Sequence, residues 1–452
     1  MPKMPPAISA LLIVVSRLVF ALLCYFAWQG QLGFKALLLL FVATAIFWVG
    51  KKGLTEEDQR TASFWAKGLF TVVGIMALLR HPIPCPKDAV ACEPLPVFTA
   101  ILQYVEQVDG QTFLLFALLA MGIKFIGVLS SAFAWHLLLV GQGIRFAYWQ
   151  STVTAFLIGR FIGTFLPSTI GLDGYTLYEA GRYSNQWTRV ITAKGLEKFI
   201  GITGLFLGIT LTLPFGYSVL QDVTQKEGAA LTLALIIGGI CGGVSLVVVL
   251  GLVKPGLLVW IIKTFGGFLP GKVKNKVAEF TEAVAAYRGK TKLLMLALLS
   301  KFVTHFTTAV VYYFTALAIG VTTAAFWPIV FGSNIQILGT IFSPTIAGEG
   351  AREALQALLL EKQLGGVAQA VLSGALGFIA AEAATMWGGA FLWTRTESWR
   401  PKIAQVDDQD VDFAWLEGEG NIAFENLQEN LQQIKAEQRA ESTKPLPESN
   451  PE

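Results

Sequence analysis

The chain is poor in charge: only 14% of its 452 residues are Asp, Glu, Lys or Arg, where a soluble domain carries about 25%. With 54% hydrophobic residues and a mean hydropathy of +0.58, water is excluded as its main solvent. Histidine and cysteine are scarcer still. His81, His136 and His305 are too scattered to suggest a zinc site, and the cysteines show no metal-ligand spacing. No Walker loop, dinucleotide fingerprint or Ser/His/Asp set is present, so nothing argues for ATP hydrolysis or nucleophilic catalysis. No catalytic residue, cofactor, metal or nucleic-acid partner is therefore assigned, and the chain is not expected to be an enzyme.

What is abundant is apolar sequence in long runs. A helix rising ~1.5 Å per residue needs about 20 apolar residues to cross ~30 Å of hydrocarbon. Eight stretches are read as spans: Ala7 to Trp28, Phe34 to Val49, Phe64 to Leu79, Thr112 to Val140, Val190 to Leu213, Ala229 to Val253, Leu293 to Ile319, and Val367 to Trp393. The first carries Arg17 at its centre and has no small-residue cleavage site, so it is read as a retained helix rather than a signal peptide. The expected fold class is all-α: a polytopic integral membrane bundle of about eight spans plus two oppositely oriented re-entrant helical hairpins. Residues 1–402 form this membrane domain, and residues 403–452 an acidic, largely disordered cytoplasmic tail.

Basic residues collect on the cytoplasmic side of membranes. Between Lys254 and Lys292 there are eight of them against Glu279 and Glu282, while His81 to Gln111 holds only Lys87 against four acidic residues. Both termini are therefore expected in the cytoplasm. In the outer loop, Cys85 and Cys92 are candidates for a disulfide. Val273, Val277, Phe280, Val284 and Tyr287 recur at helical spacing beside three lysines, which suits an interfacial helix or a linker helix packed on the bundle. The tail has twelve acidic residues against three basic ones, the composition of a solvated appendage.

Two further apolar stretches are broken by Pro and Gly. One runs from Thr152 through Phe165 and breaks at 166–174, with Pro167, Gly171 and Gly174. The other runs from Phe326 through Phe342 and breaks at 343–350, with Pro344, Gly348 and Gly350. Such interruptions leave peptide groups unpaired, tolerable at membrane depth only where they are buried in protein or line a wet cavity. Entry from opposite faces would match an inverted-repeat transporter; two kinked spans are the alternative.

Ionisable residues also fall in the membrane, where each costs ~2.5–3.5 kcal/mol on insertion scales and so asks for a partner or a function. Arg17, Lys124, Glu197, Lys198, Lys301 and Glu382 lie in expected spans, and Arg160, Asp173, Glu349, Arg352 and Glu353 in or beside the hairpins. The mixture of signs suits a charged lipid head group better than a one-sign ion pore. Arg160, Lys198 and Arg352 are the expected phosphate ligands, with Asp173, Glu197 and Glu353 orienting them or holding a positive group. Helix N-termini at Gly174 and Ala351 would add backbone donors.

Two motif blocks resemble a known family. Gly159-Arg160-Phe161, Leu166-Pro167 and Gly171-Leu172-Asp173-Gly174, followed by Lys194-Gly195-Leu196-Glu197-Lys198, resemble the Pro/Gly-Gly-Asp and Glu-Arg-helix blocks of the lysylphosphatidylglycerol synthetase/flippase membrane domain. Pro344 with Gly348, Gly350 and Glu353 is similar to that family's Pro-x-x-x-Gly-x-Gly-x-x-Glu segment. The likeness covers roughly Ala7 to Trp393, and it departs at Leu172, where relatives have a second glycine, and at Lys198, where they often have arginine. About 50 polar residues follow the last span, so lipid aminoacylation is not expected of this chain alone.

The resemblance implies movement of a charged or glycosylated lipid between leaflets of the bacterial cytoplasmic (inner) membrane. The partners it implies are membrane lipids, with a homo-oligomer or envelope-biogenesis proteins also open. A membrane enzyme acting on a lipid-linked sugar, with Asp173 and Glu353 as acid and base, or a non-transporting subunit of an envelope complex, are the alternatives.

Overall fold

In a computed structural model, the residues described are 6–29, 46–47, 56–83, 85, 93–165, 170–254, 256, 280–281, 283–341, 343, 345 and 348–395. Apolar runs too long for strands become helices throughout. Helix α1 (Pro6–Trp28) pairs with α2 (Glu56–Arg80), and a two-residue ribbon, β1 (Pro82–Ile83) against β2 (Leu95–Pro96), leads to α3 (Val97–Val105). Arg17 is exposed on α1. Cys85 is disulfide-bonded; Cys92, its expected partner, lies outside the described residues.

Next come α4 (Gly110–Gly141), a π-helical turn over Tyr148–Val153, and the pair α5 (Thr154–Phe165) and α6 (Ile170–Ser184). Then follow α7 (Trp187–Thr212), the short α8 (Tyr217–Thr224), α9 (Glu227–Val253) and α10 (Thr291–Ala318). The chain continues as the pair α11 (Phe326–Ile341) and α12 (Ala351–Leu364), then α13 (Val367–Ala383) and α14 (Trp387–Thr394). Asp109 starts α4 by accepting the Thr112 amide at 2.7 Å, a bond that holds its carboxyl below the usual carboxylate range.

Among the described residues six helical stretches are long and apolar enough to cross a membrane: Ser63–Arg80, Gly110–Gly141, Trp187–Thr212, Glu227–Val253, Thr291–Ala318 and Val367–Thr394. Ala10–Leu23 and Phe326–Ile341 are shorter apolar helices. Of the expected spans, Phe34 to Val49 lies outside the described residues except at 46–47, as does the tail at 403–452. The last span is not one straight rod, because a turn at 384–386 separates α13 from α14.

Helix α10 is the hub, packed against α4, α7, α11 and α13. It runs antiparallel to α4, with Lys124 beside Thr308 and Ser130 beside Ser300. At one end of the bundle the α4 terminus is tied down: Lys290 Nζ donates to the Gly141 carbonyl at 2.7 Å and Tyr287 Oη to that of Leu138 at 2.8 Å. Burial, with Arg145 and Arg189 nearby, pushes the Lys290 ammonium below its usual range. Phe280, Val284 and Tyr287 are buried in the core, so this part of the inner loop packs on the bundle; Val273 and Val277 lie outside the described residues.

Each interrupted segment is a pair of packed helices, α5 against α6 and α11 against α12. Helix α6 finishes where α7 begins, beside the α4 terminus, with Arg189 donating to the Gln142 carbonyl. Helix α11 starts just past the other end, after Ala318. Pro167 and Pro344 lie outside the described residues. Gly171 and Gly174 are not in a break, as expected, but in the first turns of α6, because the helix already starts at Ile170. Gly171 serves close approach instead: a Cβ there would overlap the Gly163 backbone of α5. Gly348 and Gly350 do interrupt the second hairpin, with φ of +77° and +76°, where residues with a Cβ are strained.

Gly171→Leu should therefore force α5 and α6 apart at a cost of about 1–3 kcal/mol. Gly174→Ala, with nothing within 4 Å of the added carbon, should leave stability unchanged or raise it by up to ~1 kcal/mol. Thermal unfolding of the purified protein in detergent reads both.

Candidate functional site

Three charged clusters lie along the hub. In the first, Glu197 of α7 sits between two lysines, accepting from Lys194 Nζ at 2.7 Å and from Lys301 Nζ of α10 at 2.6 Å. Lys301 also donates to Ser131 of α4 at 2.8 Å, and Lys194 lies 4.2 Å from the Trp135 ring centroid. These side chains are 6–9% exposed. Two cations around one carboxylate leave a positive excess, and Asp173 of α6 answers it, 3.4 Å from Lys194 and hydrogen-bonded to Lys198. Lys198, 50% exposed, is where this cluster opens. A side chain on Gly204 would lie 2.8 Å from the Lys301 backbone, so the missing Cβ there lets α7 and α10 bring their charges together.

The second cluster joins the first hairpin to α13. Arg160 Nη2 of α5 is 3.2 Å from Glu382, whose other oxygen accepts from Thr164 at 2.6 Å. Beside this pair lies Lys124, near the middle of α4 and 8% exposed. Its hydrogen bond goes to a neutral hydroxyl, Thr308 Oγ1 at 3.0 Å, and among the described residues no carboxylate is within ion-pair distance of it. The charges it feels are Arg160 and Glu382. Arg160 Nε is buried and has no hydrogen-bond partner. The cluster thus has one surplus positive charge and spare donors, which is what an anion requires.

In the third cluster, Arg352 of α12 pairs with its neighbour Glu353 at 2.7 Å and packs 4.1 Å from the Phe378 ring centroid. Glu353 also accepts the Gly350 amide at 2.8 Å, capping α12. The backbone donors expected to be free at Ala351 for a ligand are thus already served in part by the protein's own carboxylate. Likewise α6 begins at Ile170, so Gly174 is not a helix N-terminus.

One face of α10 connects the three. Lys301, His305, Thr308, Tyr312 and Thr315 follow one another at steps of four and three residues, a single stripe about 21 Å long. His305 has Lys301 and Lys124 as charged neighbours, and Tyr312 faces Arg352, Glu353 and Gln336.

Each of Arg160, Asp173, Glu197, Lys198, Arg352 and Glu353 is thus in an ion pair, though not in one site: they divide among three. Asp173 and Glu353 share no partner. Sequence reasoning named Lys124, Lys301 and Glu382 as membrane charges but did not assign them to the site. Spacing on α10 could have linked Lys301 to His305 and Tyr312. A further pair went unnoticed: Arg395, after α14, holds Glu179 of α6 at 2.8 and 3.3 Å and donates to Tyr175 Oη at 2.5 Å, clamping the last span to the first hairpin.

Residues 97–387 match the family model described as the lysylphosphatidylglycerol synthase TM region. No curated protein and no solved structure matches the chain.

Glu197→Gln leaves Lys194 and Lys301 buried without their shared counter-charge and should destabilise the protein by about 3–5 kcal/mol. Lys198→Gln, removing a half-exposed partner, should cost at most about 1 kcal/mol. Thermal unfolding in one detergent compares them, and equal losses would mean that Glu197 is not the keystone of its cluster.

Proposed function

The chain belongs to the lysylphosphatidylglycerol synthase TM-region family, a membrane family concerned with lipid modification or flipping, and from that premise we propose that it moves a charged lipid head group between leaflets without altering it chemically. The observation that carries this reading is Lys124, a cation at mid-span with no carboxylate within ion-pair distance among the described residues, beside an arginine with an unfilled donor. A phosphate arriving there gains charge-assisted hydrogen bonds where hydrocarbon would otherwise impose the full cost of burying its charge.

The head group enters where Asp173 and Lys198 open the first cluster, and follows the polar face of α10 while the acyl chains stay in lipid. Every other cation on the way is already paired, so a phosphate exchanges with a carboxylate instead of meeting a bare charge. Each step is then a swap of partners with small energy differences. The two hairpins dip into the bilayer from opposite faces, as repeats related by inversion would. The termini lie in the cytoplasm of a bacterium and the partners are membrane lipids, in keeping with the basic loop before α10.

Lys124→Met should slow translocation of acyl-labelled fluorescent phosphatidylglycerol in reconstituted liposomes by about ten- to a hundredfold, the value of one or two charge-assisted hydrogen bonds at ~1.5–3 kcal/mol. Lys124→Arg should keep most of the rate. Dithionite bleaching of outer-leaflet label measures both, and an undiminished rate in Lys124→Met would overturn the reading.

A further inference from the structure

The second hairpin holds a different kind of polar surface. Ser333, Asn334 and Gln336 on α11 and Gln356 on α12 are all 0% exposed. Both amide atoms of Asn334 and of Gln356, the Gln336 Oε1 and the Ser333 hydroxyl have no hydrogen-bond partner. Of these groups Gln336 Nε2 is in use, donating to the Arg352 carbonyl at 3.3 Å and to the Tyr312 hydroxyl oxygen. Glycines make room for these groups: the position of a Cβ on Gly208 lies 3.4 Å from Asn334 Oδ1, and that of one on Gly374 lies 3.3 Å from the Gln356 Cγ. Gln356 lies one turn beyond Arg352 on α12, and Tyr312 of α10 faces Gln336.

Buried amides without partners are costly in any protein and are normally satisfied; Gly332 meets Leu360 and Gly339 meets Leu355, which sets Gln336 of α11 opposite Gln356 of α12, so these two amides facing each other across one hairpin point to a ligand. Its chemistry follows from theirs. Primary amides offer acceptors as well as donors, and two side-chain carbonyl oxygens would repel the oxygens of a phosphate. The one cation at hand, Arg352, is already held by Glu353 and Phe378. Hydroxyl groups, which donate and accept together, match amides pair for pair.

We infer that the α11–α12 hairpin carries an uncharged subsite, built by Gln336 and Gln356, that takes the hydroxyl-bearing part of a lipid head group, a sugar or a glycerol. This rests on the head-group reading above and divides the labour within it. Lys124 and Arg160 take the anion, and the amides select what is attached to it.

The test uses the full chain in phosphatidylcholine nanodiscs with four short-chain probes: glucosyl-dihexanoylglycerol, dihexanoyl phosphatidylglycerol, dihexanoyl phosphatidate and plain dihexanoylglycerol. The wild type should bind the glucosyl lipid or phosphatidylglycerol more tightly than its counterpart lacking the hydroxyls, and which of the two shows the preference identifies sugar or glycerol. Gln336→Leu with Gln356→Leu should weaken that preferred lipid by about tenfold or more, because a site built for hydroxyls loses its discrimination with its amides. Phosphatidate binding should stay within about twofold, less than ~0.5 kcal/mol.

Lys124→Met should do the reverse; if phosphatidate binding ignores it, the anion reading fails while the hydroxyl probes still judge the subsite. Equal binding of all hydroxylated and plain probes by the wild type, or undiminished preference in the double variant, overturns the inference. The Gln356→Leu single variant should melt no earlier than wild type, since neither atom of that amide has a partner; a clearly lower melting temperature also counts against the inference, because it would mean the amide holds the fold.

Discussion

Glu197 binds two lysines from two helices in a place where water cannot screen them. A carboxylate buried in an apolar bundle is unfavourable alone, and so is each lysine; together they convert three costs into a bond between α7 and α10. Because Lys301 also reaches Ser131, the same contact fastens α4. The orientation of all three helices about their axes is thereby set, and with it which residues of α10 face the interior. His305, Thr308 and Tyr312 line up behind Lys301 as a consequence of that rotation.

From this rotation the different characters of the clusters follow. The cluster at Glu197 is nearly closed, each of its three lysines paired with Glu197 or Asp173, so it is a structural joint with one open corner at Lys198. At Lys124 the cation bonds to a hydroxyl, and the arginine beside it has a buried donor without a partner. The pair at Arg352 is spent on capping α12 and on Phe378, leaving its surroundings neutral but rich in amides. A polar interior in an apolar medium thus varies in kind along its length.

The glycines act through space as well as through backbone freedom. Gly204 brings the α7 charges to α10, Gly171 brings α6 against α5, and Gly350 turns the chain so that Glu353 can cap its own helix. Pro/Gly interruption was legible as a signal, but its meaning was not uniform. At 348–350 it marks a break, and at 171 a contact between helices.

The sequence by itself determined that the chain is a multi-pass helical membrane protein, where its apolar runs lie, and that charges stand inside them, because hydrophobic length and the rarity of buried charge are local properties. Pairing is different. Arg160 meets Glu382 across more than two hundred residues, and Lys124 meets the Thr308 hydroxyl only because α4 and α10 are in one register and not another. Ion pairs act over a few ångströms, so depth and rotation of helices distant in the chain decide them. Those are set by packing, and only the tertiary structure could show which partner each charge meets.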